Sequence, residues 1–99
     1  MRYLLPLLLA ATLLLGGCAS VGQPFPSDQV ESIVVGETTR SDVRNTFGDP
    51  WRTGFEDGDP TWTYGNYRWS AFGKARTEDL VIRFGQDGLV RSWTYNTTD

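Results

Sequence analysis

The sequence predicts an α+β domain in which two short N-terminal helices pack on one face of a three- to four-stranded antiparallel meander. Three observations carry that reading. Thr39-Arg40-Ser41-Asp42 is a capping box with a shorter acid, and behind it Val43 and Phe47 stand four apart on one helical face. Beyond Pro50 the apolar period drops to two: Trp62 and Tyr64 alternate with Thr61 and Thr63, and Leu80, Ile82 and Phe84 alternate with Val81 and Arg83. Gln86-Asp87-Gly88 then marks a hairpin turn, because an Asp-Gly pair tolerates positive φ.

Taken in order, the first helix is expected to start at Ser27, a good N-cap, with Val30, Ile33 and Val34 at three- and four-residue spacing and Gly36 at its end. The second runs from about Arg40 to Phe47, with Gly48 as a left-handed C-cap and Pro50 preventing continuation. A first strand spans Trp51 to Phe55, and Glu56-Asp57-Gly58-Asp59-Pro60 separates it from a second over about Thr61 to Ser70. Ala71 to Glu78 reads as a loop. The turn at 86–88 joins a strand over Asp79 to Phe84 with one over Leu89 to Tyr95.

Ahead of the domain, Met1-Arg2-Tyr3, an apolar block from Leu4 to Leu15, and Gly16-Gly17-Cys18 have the tripartite layout of a secretory signal peptide. Read as a membrane span, Leu4 to Gly17 would cover only about 21 Å against a hydrocarbon core of about 30 Å, and Pro6 weakens the helix further. Leu15-Gly16-Gly17-Cys18 resembles the bacterial lipobox, in which two small residues precede an obligatory cysteine. That resemblance implies a diacylglycerol on the Cys18 thiol, cleavage before it and acylation of the new amino group. One acyl chain binds a membrane only marginally, at about 0.8 kcal/mol per buried methylene, whereas two or three hold firmly. Ala19 and Ser20 follow the cysteine, where lipoproteins kept in the Gram-negative inner membrane commonly carry Asp; the expected address is the periplasmic face of the outer membrane rather than the inner one. The chain thus divides into a signal peptide at 1–17, a lipidated cysteine and tether at 18–27, and a domain at 28–99. Within the tether, Phe25 lies between Pro24 and Pro26 and is expected to dock on the domain or on the membrane interface.

Composition removes most chemistry. The 99 residues include no His and one Cys, so a Cys/His zinc site and His-dependent nucleophilic catalysis are excluded. Nine basic against 12 acidic residues, without a basic run, argue against a nucleic-acid partner. Cleavage after Gly17 takes Arg2 with it and leaves 8 basic against 12 acidic residues, a charge of −4. Asp49, Glu56, Asp57 and Asp59 lack the ligand set of a calcium loop and read as a solvated turn. Glu78 and Asp79 are adjacent, so on a strand they point to opposite faces and cannot share a proton. A glycine-rich phosphate loop is missing as well. No catalytic residue, metal site or cofactor is expected, and the chain reads as a non-enzyme.

The pattern as a whole resembles the BamE family of small outer-membrane lipoproteins, also called SmpA/OmlA. The resemblance rests on Ile33-x-x-Gly36, a capping Thr39, Val43-x-x-x-Phe47-Gly48-x-Pro50, Trp62-x-Tyr64, Leu80-x-Ile82-x-Phe84 and the Gly88 turn, over roughly residues 28 to 97. It makes Gly36, Thr39, Gly48, Pro50 and Gly88 the structural positions. It implies an ααβββ fold and a non-catalytic scaffold or accessory role in outer-membrane β-barrel assembly. Protein partners would come from that machinery, with anionic phospholipid as a further contact.

Twelve aromatic residues remain after cleavage. Phe47, Phe84 and one of the Trp62/Tyr64 pair should fill the core, since each can bury about 150–250 Å². A sheet covered on one side has a second face, and Tyr67, Trp69 and Trp93 or Tyr95 are candidates for an exposed patch there. The register of the last strand decides the matter: if Val90 faces the helices, Trp93 and Tyr95 look outward; if Leu89 does, they are core. The outward register makes Tyr67, Trp69, Trp93, Tyr95 and Phe25 the candidate partner-binding residues. A different use of the same fold would be a free-standing envelope lipoprotein that binds a periplasmic enzyme or a cell-wall ligand.

Overall fold

The computed structural model describes residues 18–71, 73 and 75–98; the signal peptide expected at 1–17 lies outside them. Along the chain run β1 (Cys18–Gly22), a 3-10 helix (Ser27–Ser32), α1 (Arg40–Phe47), β2 (Arg52–Glu56), β3 (Asp59–Ser70), β4 (Arg76–Phe84) and β5 (Val90–Thr97). The α+β class and the antiparallel pairing agree with expectation. The ααβββ order does not hold, because a strand precedes the helices and the first helix is of 3-10 type.

Helix α1 forms where its local chemistry dictates. The Thr39 hydroxyl accepts from the Asp42 amide at 3.1 Å, and the Asp42 carboxylate accepts from the Thr39 amide at 3.0 Å, so two orphan donors are satisfied reciprocally. Val43 and Phe47 are its buried residues. Gly48 ends it at φ 83° and ψ −163°, a glycine-only conformation but not the left-handed helical cap expected. The first helix departs further. Pro26 rather than Ser27 precedes it, without a side-chain cap, and only Val30 is buried within it. Ile33 is also core, whereas Val34 faces solvent.

The sheet is built around β3, which is 12 residues long. One edge of β3 pairs with β4, and β4 with β5, all antiparallel. Its other edge is shared end to end by β2, opposite residues 59–63, and β1, opposite residues 66–70. The segment taken as a free tether is therefore a strand from Cys18 to Gly22, and the loop taken to span 71–78 ends where β4 begins at Arg76. The tightest turn is Asp57-Gly58: Glu56 pairs with Asp59, and both central residues have positive φ, 51° and 83°, as a type I′ hairpin demands.

Alternation along β3 and β4 assigns the two faces. Trp62, Tyr64, Leu80, Ile82 and Phe84 face the helices and join Val30, Ile33, Val43, Phe47 and Val90 in the core, so both members of the Trp62/Tyr64 pair are buried. Phe47 and Trp62 pack on Tyr64 and Phe84 at ring separations of 5.6 and 4.8 Å. Arg40 and Arg44 lay their guanidinium groups over Phe84 and Trp62. The Tyr64 hydroxyl donates to the Gly48 carbonyl at 2.9 Å, tying the end of α1 to the sheet.

The last strand corrects the outward register. Phe84 pairs with Val90, but Arg83 pairs with Ser92 and Ile82 with Trp93, so Arg91 is an extra residue in a β-bulge. The bulge resets the alternation. Val90, Trp93 and Tyr95 all lie on the helix side, where Trp93 and Tyr95 pack half-buried against the core. Phe25 joins them, its ring 6.1 Å from Tyr64 and 6.5 Å from Tyr95.

Candidate functional site

Among the described residues nothing covers the opposite face of the sheet, and its apolar side chains gather at one end. On β3, Tyr67 and Trp69 are two apart and point the same way, with rings nearly parallel at 17° and centroids 6.3 Å apart. Across the ladder, Val21 stands opposite Tyr67 and Ala19 opposite Trp69. Trp51, just ahead of β2, donates its amide to the Thr63 carbonyl at 2.9 Å and sets its ring edge-on to Tyr67 at 5.6 Å. The Arg52 guanidinium lies over that indole, 4.5 Å from the ring centroid. Val21, Trp51 and Trp69 remain 41 %, 37 % and 42 % exposed.

Gly65 makes this arrangement possible. The Tyr67 ring lies so close over it that a Cβ there would sit 2.6 Å from the ring. Burial, the charge of Asp79 and a hydrogen bond to that carboxylate push the Tyr67 phenol above its ordinary value, so the hydroxyl stays protonated and donating.

Of the five residues expected to bind a partner, the structure brings Tyr67 and Trp69 together on the open face. It places Phe25, Trp93 and Tyr95 on the other side. Trp93 and Tyr95 there border a shallow groove with Ser27, Asp28, Val30 and Glu31. The Tyr95 hydroxyl donates to Glu78 at 2.8 Å, and that bond first, with burial second, raises its pKa. Sequence reasoning missed Trp51, whose ring position depends on the bend into β2, and Val21, which had been assigned to a tether. The alternation of Val21 with Ala19 was the available signal.

The other end of the open face is polar. Asp59 is 4 % exposed, which corrects its placement in a solvated turn. Arg83 reaches its Oδ2 through Nε at 3.0 Å and Nη2 at 2.9 Å, Arg91 through Nη1 at 2.9 Å, and Gln86 donates to Oδ1 at 3.3 Å. Burial alone would raise this carboxyl; the bonds from Gln86 and Arg83 and the charges of Arg91 and Arg83 outweigh it and hold it below the ordinary 3.8. A carboxylate so fully engaged is an ionised structural pin between the two hairpin turns. Glu78 and Asp79 bond on opposite faces, to Tyr95 and to Asn96. Among the described residues no group of three or more His, Cys, Asp or Glu could hold a metal ion, and no helix is long and apolar enough to cross a membrane. What the arrangement offers is a contact surface of stacked aromatic rings beside the first strand.

A family model described as "Outer membrane protein assembly factor BamE domain" matches residues 22–94. No curated protein and no solved structure gives a significant match.

Proposed function

The chain belongs to the BamE family of outer membrane protein assembly factor domains, and from that membership we propose that it is a lipid-anchored, non-catalytic accessory subunit of outer-membrane β-barrel assembly. The observation that carries this reading is the family match, which extends over both helices, β2 to β4 and most of β5. The family works within the barrel-assembly machinery, supporting its protein partners, and is associated with the outer membrane. In this chain the anchor is Cys18, acylated behind Leu15-Gly16-Gly17. The domain then acts as a scaffold at the periplasmic face, offering surface rather than chemistry.

Two measurements test the reading. Cys18→Ala moves the chain from the membrane fraction to the soluble fraction of the envelope. Co-purification of the tagged wild type from gently solubilised envelopes brings down the barrel-assembly subunits. An intact bait that recovers none of them, and crosslinks in cells chiefly to a soluble periplasmic enzyme or a wall fragment, would replace this reading with that of a free-standing envelope binder.

A further inference from the structure

We infer that the open sheet face lies on the bilayer surface, with Trp51, Tyr67, Trp69 and Val21 seated among the lipid headgroups. The inference rests on acylation of Cys18, as proposed above, and adds to it an orientation. Residues 18–22, expected as part of a tether, form strand β1. A flexible tether over these residues would let the domain stand off the membrane by tens of Å. Instead, Cys18 is already in the sheet, opposite Ser70, and its neighbour Ala19 is opposite Trp69. With a rise of about 3.3 Å per residue and about 5 Å between paired strands, the Trp69 backbone lies about 6 Å from that of Cys18. Val21 and Tyr67 follow within about 10 Å to 12 Å.

The headgroup zone is about 5–8 Å deep in each leaflet, from the difference between the hydrocarbon core and the whole bilayer. A cysteine carrying a diacylglycerol sits at its inner boundary. Trp69 therefore cannot avoid the interface, and the remaining choice is which face of the sheet turns toward the lipid. At this end the helix side presents Asn66, Arg68, Arg76 and Glu78, while the open side presents Val21, Trp51, Tyr67 and Trp69. Indole and phenol rings, apolar in body with one polar edge, prefer this zone to either water or hydrocarbon. Arg52, over Trp51, can carry its charge out to the phosphate level. Aromatic bodies rather than a charged pocket make the contact, so it requires no particular headgroup.

Tryptophan quenching in vesicles tests the inference with the full lipidated chain. Reconstituted into phosphatidylcholine brominated near the glycerol end of its chains, the protein loses about half its emission, because two of its four tryptophans lie at the interface. Trp69→Phe and Trp51→Phe each diminish the quenched part, and Trp93→Phe leaves it intact, with unfolding transitions of the variants compared to exclude misfolding. Adding phosphatidylglycerol changes nothing. The intact mass of the same sample reports the acyl groups, so a chain without them overturns the anchor and this orientation together. An acylated, vesicle-bound chain with unquenched tryptophans overturns the orientation alone and leaves the patch to a protein partner. Quenching that appears only with phosphatidylglycerol overturns it in favour of a headgroup site.

Discussion

Arg83 grips the buried carboxylate of Asp59 with two nitrogens on a single oxygen, 3.0 and 2.9 Å away, across 24 residues of sequence. The grip has a consequence for pH. Asp59 ionises below the ordinary 3.8 in the folded chain, so between the two values the unfolded chain binds more protons. The stability Asp59 contributes is complete above the unfolded value and is lost as pH falls through the folded one. Asp42, lowered by its bonds to Thr39, adds to the same acid limb. Denaturant midpoints measured from about pH 6 to about pH 2 should show Asp59→Asn less stable than wild type at neutral pH and less dependent on acid. An unchanged acid slope would mean that the carboxylate is not held as described.

Tyr64 is the second joint, between the end of α1 and the middle of β3. Its ring packs against Phe47 and Phe25, and its hydroxyl donates to the Gly48 carbonyl. Tyr64→Phe keeps the packing and removes the bond, which should lower stability by about 1 kcal/mol in urea unfolding. The same substitution should blunt an alkaline limb. Burial pushes the Tyr64 phenol from 10.0 up to about 12, so its contribution is complete below pH 10 and is lost as pH rises through 12.

What was legible in the sequence was what neighbours in sequence decide. The capping box set α1 because Thr39 and Asp42 bond each other within one turn. The alternation of Trp62 and Tyr64, and of Leu80, Ile82 and Phe84, marks one buried face because a pleated strand has only two, and that face takes both Trp62 and Tyr64 where only one of the pair was expected. The illegible features depend on distant partners. Ala19-Ser20-Val21 has little strand propensity of its own and becomes β1 because the far end of β3 has a free edge to pair with. Asp59 can be buried only because Arg83 and Arg91 arrive from the next hairpin. Trp93 and Tyr95 defeated a parity argument because Arg91 adds one residue to β5, and Val90 and Trp93 can then share a face.

The aromatic patch depends on a residue with no side chain. Gly65→Ala would set a methyl 2.6 Å from the Tyr67 ring, which must swing away from Trp69 to make room. A loss of about 1–3 kcal/mol is expected from such overpacking, together with a weaker near-ultraviolet dichroism signal from the stacked rings. Tyr67→Ala in the same chain removes the clash. The double variant should therefore be more stable than the two single losses add up to, and strict additivity would show that the ring is not held over Gly65.

Phe55 tests where protein partners meet the domain. It stands opposite Pro60 at the hairpin end of β3, ten positions from Ser70, which pairs with Cys18. At about 3.3 Å per residue that is about 33 Å along the sheet from the anchor, and by its pairing with Pro60 the side chain shares the face of Trp62 and Tyr64, turned away from the lipid. Phe55 is 80 % exposed, and among the described residues β2, which carries it, pairs only with β3 and has its other edge open. An exposed phenyl ring next to a free strand edge suits an anchor in a protein pocket, whereas it contributes little to the fold. Phe55→Ser should leave the unfolding free energy within about 0.5 kcal/mol of wild type. It should reduce recovery of the barrel-assembly subunits by about fivefold or more, the effect of losing a contact worth over 1 kcal/mol. Trp69→Phe in the same co-purification should leave recovery unchanged, because that ring is turned to the lipid. If Phe55→Ser recovers partners like wild type while Trp69→Phe does not, the open aromatic face, and not the hairpin, is the protein-binding surface.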